Sequence, residues 1–242
     1  MSASGKTIAV RLLATVLTIS GIASGTTITF VTPSGSTTSS GSVNASAVFA
    51  TGPGTLTITL SDLLASPTSM GQLLSSVQFG LSSSLNGSAS MSSSATERTV
   101  NSNSSFTEGS TVSTGWALQL SGGGGVFICV ICPAGGTPGP TALPPSHVII
   151  GAGPYMNANN SITGNGPHNP FLDETATFTI SDSAITSATI ASDVAFGFGT
   201  QFGSVVQGQV SAPAVPENRT MLLIGTGLIL IGSFKRLARN QD

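Results

Sequence analysis

Short runs of alternating apolar and polar residues recur along most of this chain, and each run is bounded by Gly, Pro, Ser or Asn. A period of two places one residue set on one face of a strand and the other set on the opposite face. Thr26 to Val31 follows it, with Ile28 and Phe30 against Thr27 and Thr29. Val43, Ala45, Ala47 and Phe49 alternate with Asn44, Ser46 and Val48. After the turn Gly52-Pro53-Gly54 comes the cleanest run, Thr55-Leu56-Thr57-Ile58-Thr59-Leu60. It predicts a strand with Leu56, Ile58 and Leu60 inward and three threonines outward, where branched Cβ atoms favour extended backbone and hydroxyls stay hydrated. Thr175-Ala176-Thr177-Phe178-Thr179-Ile180 has the same layout, although the two stretches are not a sequence repeat.

Further strands are expected over Phe79–Leu85, Trp116–Leu120, Val126–Val130, His147–Ile150, Val194–Phe198 and Ser204–Val210. Asn86–Ala95 and Asn101–Ser110 read as low-complexity Ser/Gly/Asn segments, and Pro133–Pro145 and Gly151–Pro170 as long loops. One departure from the period stands out. Ser66-Pro67 pairs an N-cap residue with proline at a first helical position, and Met70, Leu73, Leu74 and Val77 follow at helical spacing. A short helix is predicted from about Pro67 to Ser76. Many short strands with Gly/Pro/Ser turns and almost no helix predict an all-β, β-sandwich-like domain over residues 24–210.

The two ends obey a different rule. Residues 1–23 read as a signal-peptide helix: Lys6 and Arg11 precede the apolar Leu12–Ala23, and Gly21-Ile22-Ala23 supplies small residues for signal peptidase cleavage after Ala23. Residues 211–219 form a linker and motif ending Val215-Pro216-Glu217-Asn218-Arg219. Residues 220–234 contain no charge and carry Met221, Leu222, Leu223, Ile224, Leu228, Ile229, Leu230, Ile231 and Phe234. As a transmembrane helix, fifteen residues rise about 22 Å against roughly 30 Å of hydrocarbon. Snorkelling flanks and local bilayer thinning cover the deficit. Residues 235–242 begin with the basic stop Lys235, Arg236 and Arg239, which predicts a cytoplasmic end and places the body across the membrane.

This order of motif, apolar run and basic tail resembles the PEP-CTERM sorting signal of Gram-negative envelope proteins. Val215, Pro216 and Glu217 match the motif and the residue before it, while Asn218 stands where the family has a second proline. The resemblance covers about residues 213–242. It implies recognition by an exosortase, a membrane cysteine peptidase, and an inner-membrane intermediate released to the envelope or the extracellular space. A weaker similarity to exported domains of such proteins lies in Gly164–Phe171 and Phe196–Thr200, and implies no activity.

Composition sharpens this picture. Only 7% of residues are charged. Between residues 24 and 216 Arg98 is the sole cation, against Asp62, Glu97, Glu108, Asp173, Glu174, Asp182 and Asp193. One cation and seven acids leave the body at −6. Lys6, Arg11, Lys235, Arg236 and Arg239, five of the seven Lys and Arg, sit in the terminal segments. Nucleic acid is excluded as a partner, because phosphate neutralisation needs a basic patch.

Candidate chemistry is sparse. Cys129-Val130-Ile131-Cys132 lies between a β-run and a Pro/Gly loop rather than at a helix start, so a local structural disulfide or buried thiols outweigh redox or metal readings. His147, His168, Asp173 and Glu174 could assemble a hydrolase, but no nucleophile elbow supports one, and neighbours on a strand face opposite ways. Asp173, Glu174, Asp182 and Asp193 lack a calcium-loop spacing. The expectation is a non-enzymatic protein without cofactor or metal, structural or adhesive in an exopolysaccharide or biofilm matrix. The opposing readings are an envelope carbohydrate-binding module or hydrolase, and a permanently anchored single-pass protein. Convergence of His147, His168, Asp173 and Glu174 in one pocket would favour the enzyme. A Thr/Ser-faced sheet without such a pocket would favour the structural role.

Overall fold

The computed structural model describes residues 25–121, 124–132, 146–164 and 166–211. The expected signal segment, the motif Val215-Pro216-Glu217, the apolar run, the basic stop and the whole Pro133–Pro145 loop lie outside these residues. Among the described residues, no helix is long and apolar enough to cross a membrane.

The described residues are 51% strand and 2% helix, which makes the body all-β. Its strands are β1 (Thr27–Val31), β2 (Thr37–Thr38), β3 (Gly41–Ser42), β4 (Ala45–Gly52), β5 (Thr55–Asp62), β6 (Leu74–Leu81), β7 (Ser90–Val100), β8 (Phe106–Val112), β9 (Ala117–Ser121), β10 (Gly125–Cys129), β11 (Ile149–Ile150), β12 (Phe171–Ser181), β13 (Ala191–Phe198), β14 (Val205–Gln207) and β15 (Gln209–Val210). Thirteen of them join one sheet in the order β14-β13-β6-β11-β12-β5-β4-β1-β15. The ribbon β10–β9 branches from β6, and β7–β8 branches from β12. All pairings are antiparallel except β11 with β12, so the sheet is mixed.

The period-two runs explain its centre. β5 and β12 pair in register, with Leu56 opposite Ile180, Ile58 opposite Phe178 and Leu60 opposite Ala176. All six are buried in one cluster. The alternate positions pair Thr57 with Thr179 and Thr59 with Thr177 on the outer face. Phe49 of β4 packs edge-on against Phe30 of β1 at 5.7 Å and Phe79 of β6 at 5.0 Å. The β4–β1 and β6 branches therefore share one core rather than building two. Trp116 closes on Phe178 at 5.2 Å. The core cluster draws on β1, β4, β5, β6, β10, β12 and β13, so the sheet curls around it.

Three sequence expectations change. The helix over Pro67–Ser76 reduces to one 3-10 turn, Met70–Gln72, and Leu74 onward is strand. Ser66 takes φ 54 instead of the extended conformation of an N-cap. The turn starts at Ser69, where Gln72 Oε1 accepts from the Thr68 and Ser69 N–H groups at 2.7 and 3.1 Å. Leu74 and Val77 are buried because β6 lies inside the sheet between β10 and β13, and Leu73 just before it packs into a second apolar cluster, which together mimics helical spacing. Second, the low-complexity segments 86–95 and 101–110 contribute to β7 and β8. Ser90, Ser92 and Ser94 line up opposite Ser181, Thr179 and Thr177. Their extended form comes from pairing with β12 rather than from an apolar pattern. Third, the Gly151–Pro170 loop buries Tyr155 and Ile162 in a second cluster with Val100, Val148, Ile150 and Phe171.

Phe49 sits where the branches meet, so Phe49→Ala is expected to cost about 3–5 kcal/mol in urea unfolding. Thr57→Ala on the outer face should stay within about 0.5 kcal/mol. Equal losses at the two positions would contradict this placement of the core.

Candidate functional site

The charged residues gather where the β7–β12 ladder breaks. Leu172 pairs with Glu97 and Ala176 with Ala95, so Asp173, Glu174 and Thr175 oppose Thr96 alone. A bulge of this kind bends the strand and re-aims its side chains. Glu174 adopts φ 52 to make it. The neighbours Asp173 and Glu174, expected on opposite faces, consequently reach the same guanidinium.

That guanidinium belongs to Arg98 on β7, only 4% exposed. Its Nε and Nη2 donate to Glu108 Oε1 at 2.9 and 2.7 Å. Nη1 donates to the Tyr155 hydroxyl at 2.8 Å. Nη2 is ion-paired with Asp173, and with Glu174 at 3.4 Å. Asp173 contributes charge rather than an aligned hydrogen bond, since its Oδ1 has no hydrogen-bond partner. The Phe106 ring lies 4.4 Å from Cζ, close enough for a cation–π contact. Only arginine offers this fan of donors while keeping its charge when buried. Burial by itself would lower the Arg98 pKa, but the Glu108 and Tyr155 hydrogen bonds outweigh it and the net shift is upward. The Asp173 carboxyl rises to about 6, through burial and against the pull of Arg98. Tyr155 rises to about 12, also through burial, and donates its proton to the Gly151 carbonyl at 2.8 Å.

Asp62 stands one strand away, at the end of β5. It is 2% exposed, and its Oδ1 accepts from the Leu64 N–H at 3.0 Å. Its Oδ2 has no hydrogen-bond partner among the described residues. Burial pushes this carboxyl up to about 8, and the N–H groups of Leu64, Leu74 and Gly151 only partly offset it.

His147 makes a separate pair. Its Nε2 lies 3.0 Å from Glu97 Oε1 and its Nδ1 lies 3.1 Å from the Thr114 carbonyl. Its own carbonyl accepts from Trp116 Nε1 at 2.7 Å, with φ held at 61. Among the described residues the imidazole is hydrogen-bonded to a carboxylate and one backbone carbonyl, and to no hydroxyl nucleophile. His168 lies half-buried in the loop before β12. Asp182 is engaged elsewhere, accepting from Asn86 N and Nδ2 at 2.7 and 2.8 Å. Asp193 accepts from Ser192 Oγ. No group of three His, Cys, Asp or Glu placed to hold a metal occurs among the described residues. Cys129 and Cys132 are joined as a disulfide at the end of β10, with Cα atoms 5.2 Å apart. Surface depressions beside Leu120, Asn44 and Thr200 carry no charged side chain.

The arrangement is therefore a closed electrostatic clasp. It ties β7, β8, β12 and the Tyr155 loop together and leaves the guanidinium little access to a ligand. Sequence reasoning missed Arg98 as its hub, although its being the sole cation of the body was a usable signal. No family model, curated protein or solved structure matches this chain.

Two outcomes follow from the clasp. Arg98→Met leaves three acids facing one another and is expected to cost about 3 kcal/mol, with Glu108 and Glu174 partly relieved by solvent; urea unfolding measures it. The raised Asp62 and Asp173 values mean that the folded state holds protons which the unfolded chain releases above its ordinary carboxyl range. Stability is then greatest near pH 4, and falls as pH rises to about 8. Asp62→Asn should remove the fall between pH 6 and 8, and a slope unchanged by that substitution would refute the assignment.

Proposed function

We propose that this is an exported envelope protein, sorted through a C-terminal signal of the PEP-CTERM kind and structural or adhesive within an exopolysaccharide matrix. The observation that carries the reading is the order of Val215-Pro216-Glu217, the uncharged run 220–234 and the basic stop from Lys235, mirrored by Lys6 and Arg11 before the apolar segment at the other end. Charges confined to the ends in this way suit membrane topology. The folded body, read as a β-sandwich-like domain, is consistent with life outside the cytoplasm. Its β5–β12 face presents neutral hydroxyls, and its two cysteines form a disulfide. The partners of this reading are the membrane, signal peptidase and an exosortase-type peptidase. Catalysis finds no support in the clasp, whose acids are turned onto Arg98.

Intact-mass analysis of the protein from its native host tests the proposal. The expected product begins at Ser24 and ends near Glu217. A membrane-bound product that still ends at Asp242 would replace the sorted protein with a permanently anchored one. A product beginning at Met1 in the soluble cell interior would overturn export altogether.

A further inference from the structure

The face opposite the threonine wall is built differently. Strands β10, β6, β13 and β14 place Phe127, Gln78, Ala195 and Gln207 in one row across the sheet. Residues directly paired across a ladder share a face, so all four side chains point outward, away from the buried Val126, Phe79 and Phe196. Gln78 and Gln207 are exposed, Phe127 is half-buried, and the small Ala195, itself buried, forms the floor between the two glutamines. Phe202, from the β13–β14 turn, is 48% exposed and returns over the sheet to lie 6.1 Å from Phe127, the ring planes inclined at 56°. Three interstrand steps make the row about 14 Å long.

We propose that this face is a binding platform for a neutral polysaccharide. The exposed Phe202 ring and the half-buried Phe127 ring beside it complement the apolar C–H face of a sugar ring, and the flanking carboxamides offer donors and acceptors to its hydroxyls. No charged side chain stands in the row. Asp193 borders the face beside Gly80, and the body carries −6, so an anionic polymer meets repulsion there. A purely apolar partner would strand Gln78 and Gln207 without hydrogen bonds. The inference deepens the matrix reading, and rests on it only for where the polymer would be met.

Native affinity electrophoresis of the full chain in neutral detergent is the test, with gels containing hydroxyethylcellulose, mixed-linkage glucan or alginate. Retardation is expected with at least one neutral polymer and not with alginate. Phe202→Ala, at a solvent-facing position, should weaken it by about tenfold, and Gln78→Ala by about three- to tenfold. Thr57→Ala on the opposite face should leave it unchanged. Mobility unaffected by both neutral polymers, or retardation that survives Phe202→Ala, would overturn the proposal. So would a concentration-dependent dimer that Phe202→Ala dissolves while neither neutral polymer retards the protein, since the face would then be a protein contact. Failure of export would show in the terminal masses and leave the electrophoresis result standing.

Discussion

The ladder between β5 and β12 is the constraint on which the rest of this fold depends. Seven consecutive residue pairs hold it, from Thr175 opposite Ser61 to Ser181 opposite Thr55. Sliding either strand by one residue would turn Leu56, Ile58 and Leu60 to water and bury three threonines. The register is therefore fixed by burial rather than by charge. The other strands of its sheet attach to its flanks: β4 and β1 beside β5, β7 and β8 beside β12, and β11 as the bridge to β6. Because β6 carries Phe79 onto Phe49, the two branches close over the same apolar side chains.

A body with so little charge handles what it has with care. A lone buried guanidinium would be costly, and three acids crowded together would repel one another; each is tolerated because it faces the other. The bulge at Asp173–Thr175 makes that meeting possible, since a regular strand would have sent Asp173 and Glu174 to opposite faces. The same break in the ladder flips the burial pattern of β7, so that Arg98 and Val100 point inward where Ser92 and Ser94 pointed out. Asp62, by contrast, has no cation and keeps its place largely by keeping its proton.

This division also sets what was legible in the sequence. Strands whose alternation pairs large apolar residues with threonine, such as Thr55–Leu60 and Thr175–Ile180, could be read directly, including which side faced inward. β7 could not, because serine on one face and Met91, Ser93 and Ala95 on the other give almost no contrast in hydrophobicity. The helix expected after Ser66 failed for the opposite reason: the first half of β6, Leu74–Val77, is buried on both faces, and two-sided burial erases the period of two. The clasp was hidden because its members lie far apart in sequence, at Arg98, Glu108, Tyr155 and Asp173, and are joined by a bulge that leaves no local signature. The hub alone was marked, as the single cation between residues 24 and 216.

The two outward faces of the sheet differ in chemistry, hydroxyl-lined over β5 and β12 and aromatic with carboxamides over β10, β6, β13 and β14, and both rely on a rigid β5–β12 centre. Native-state hydrogen exchange measures that rigidity most directly. The backbone amides of Leu56–Leu60 and Ala176–Ile180 should be the slowest to exchange and should report global unfolding, while those of β8 exchange much earlier. Amides of the β5–β12 ladder exchanging as fast as those of β8 would contradict the account.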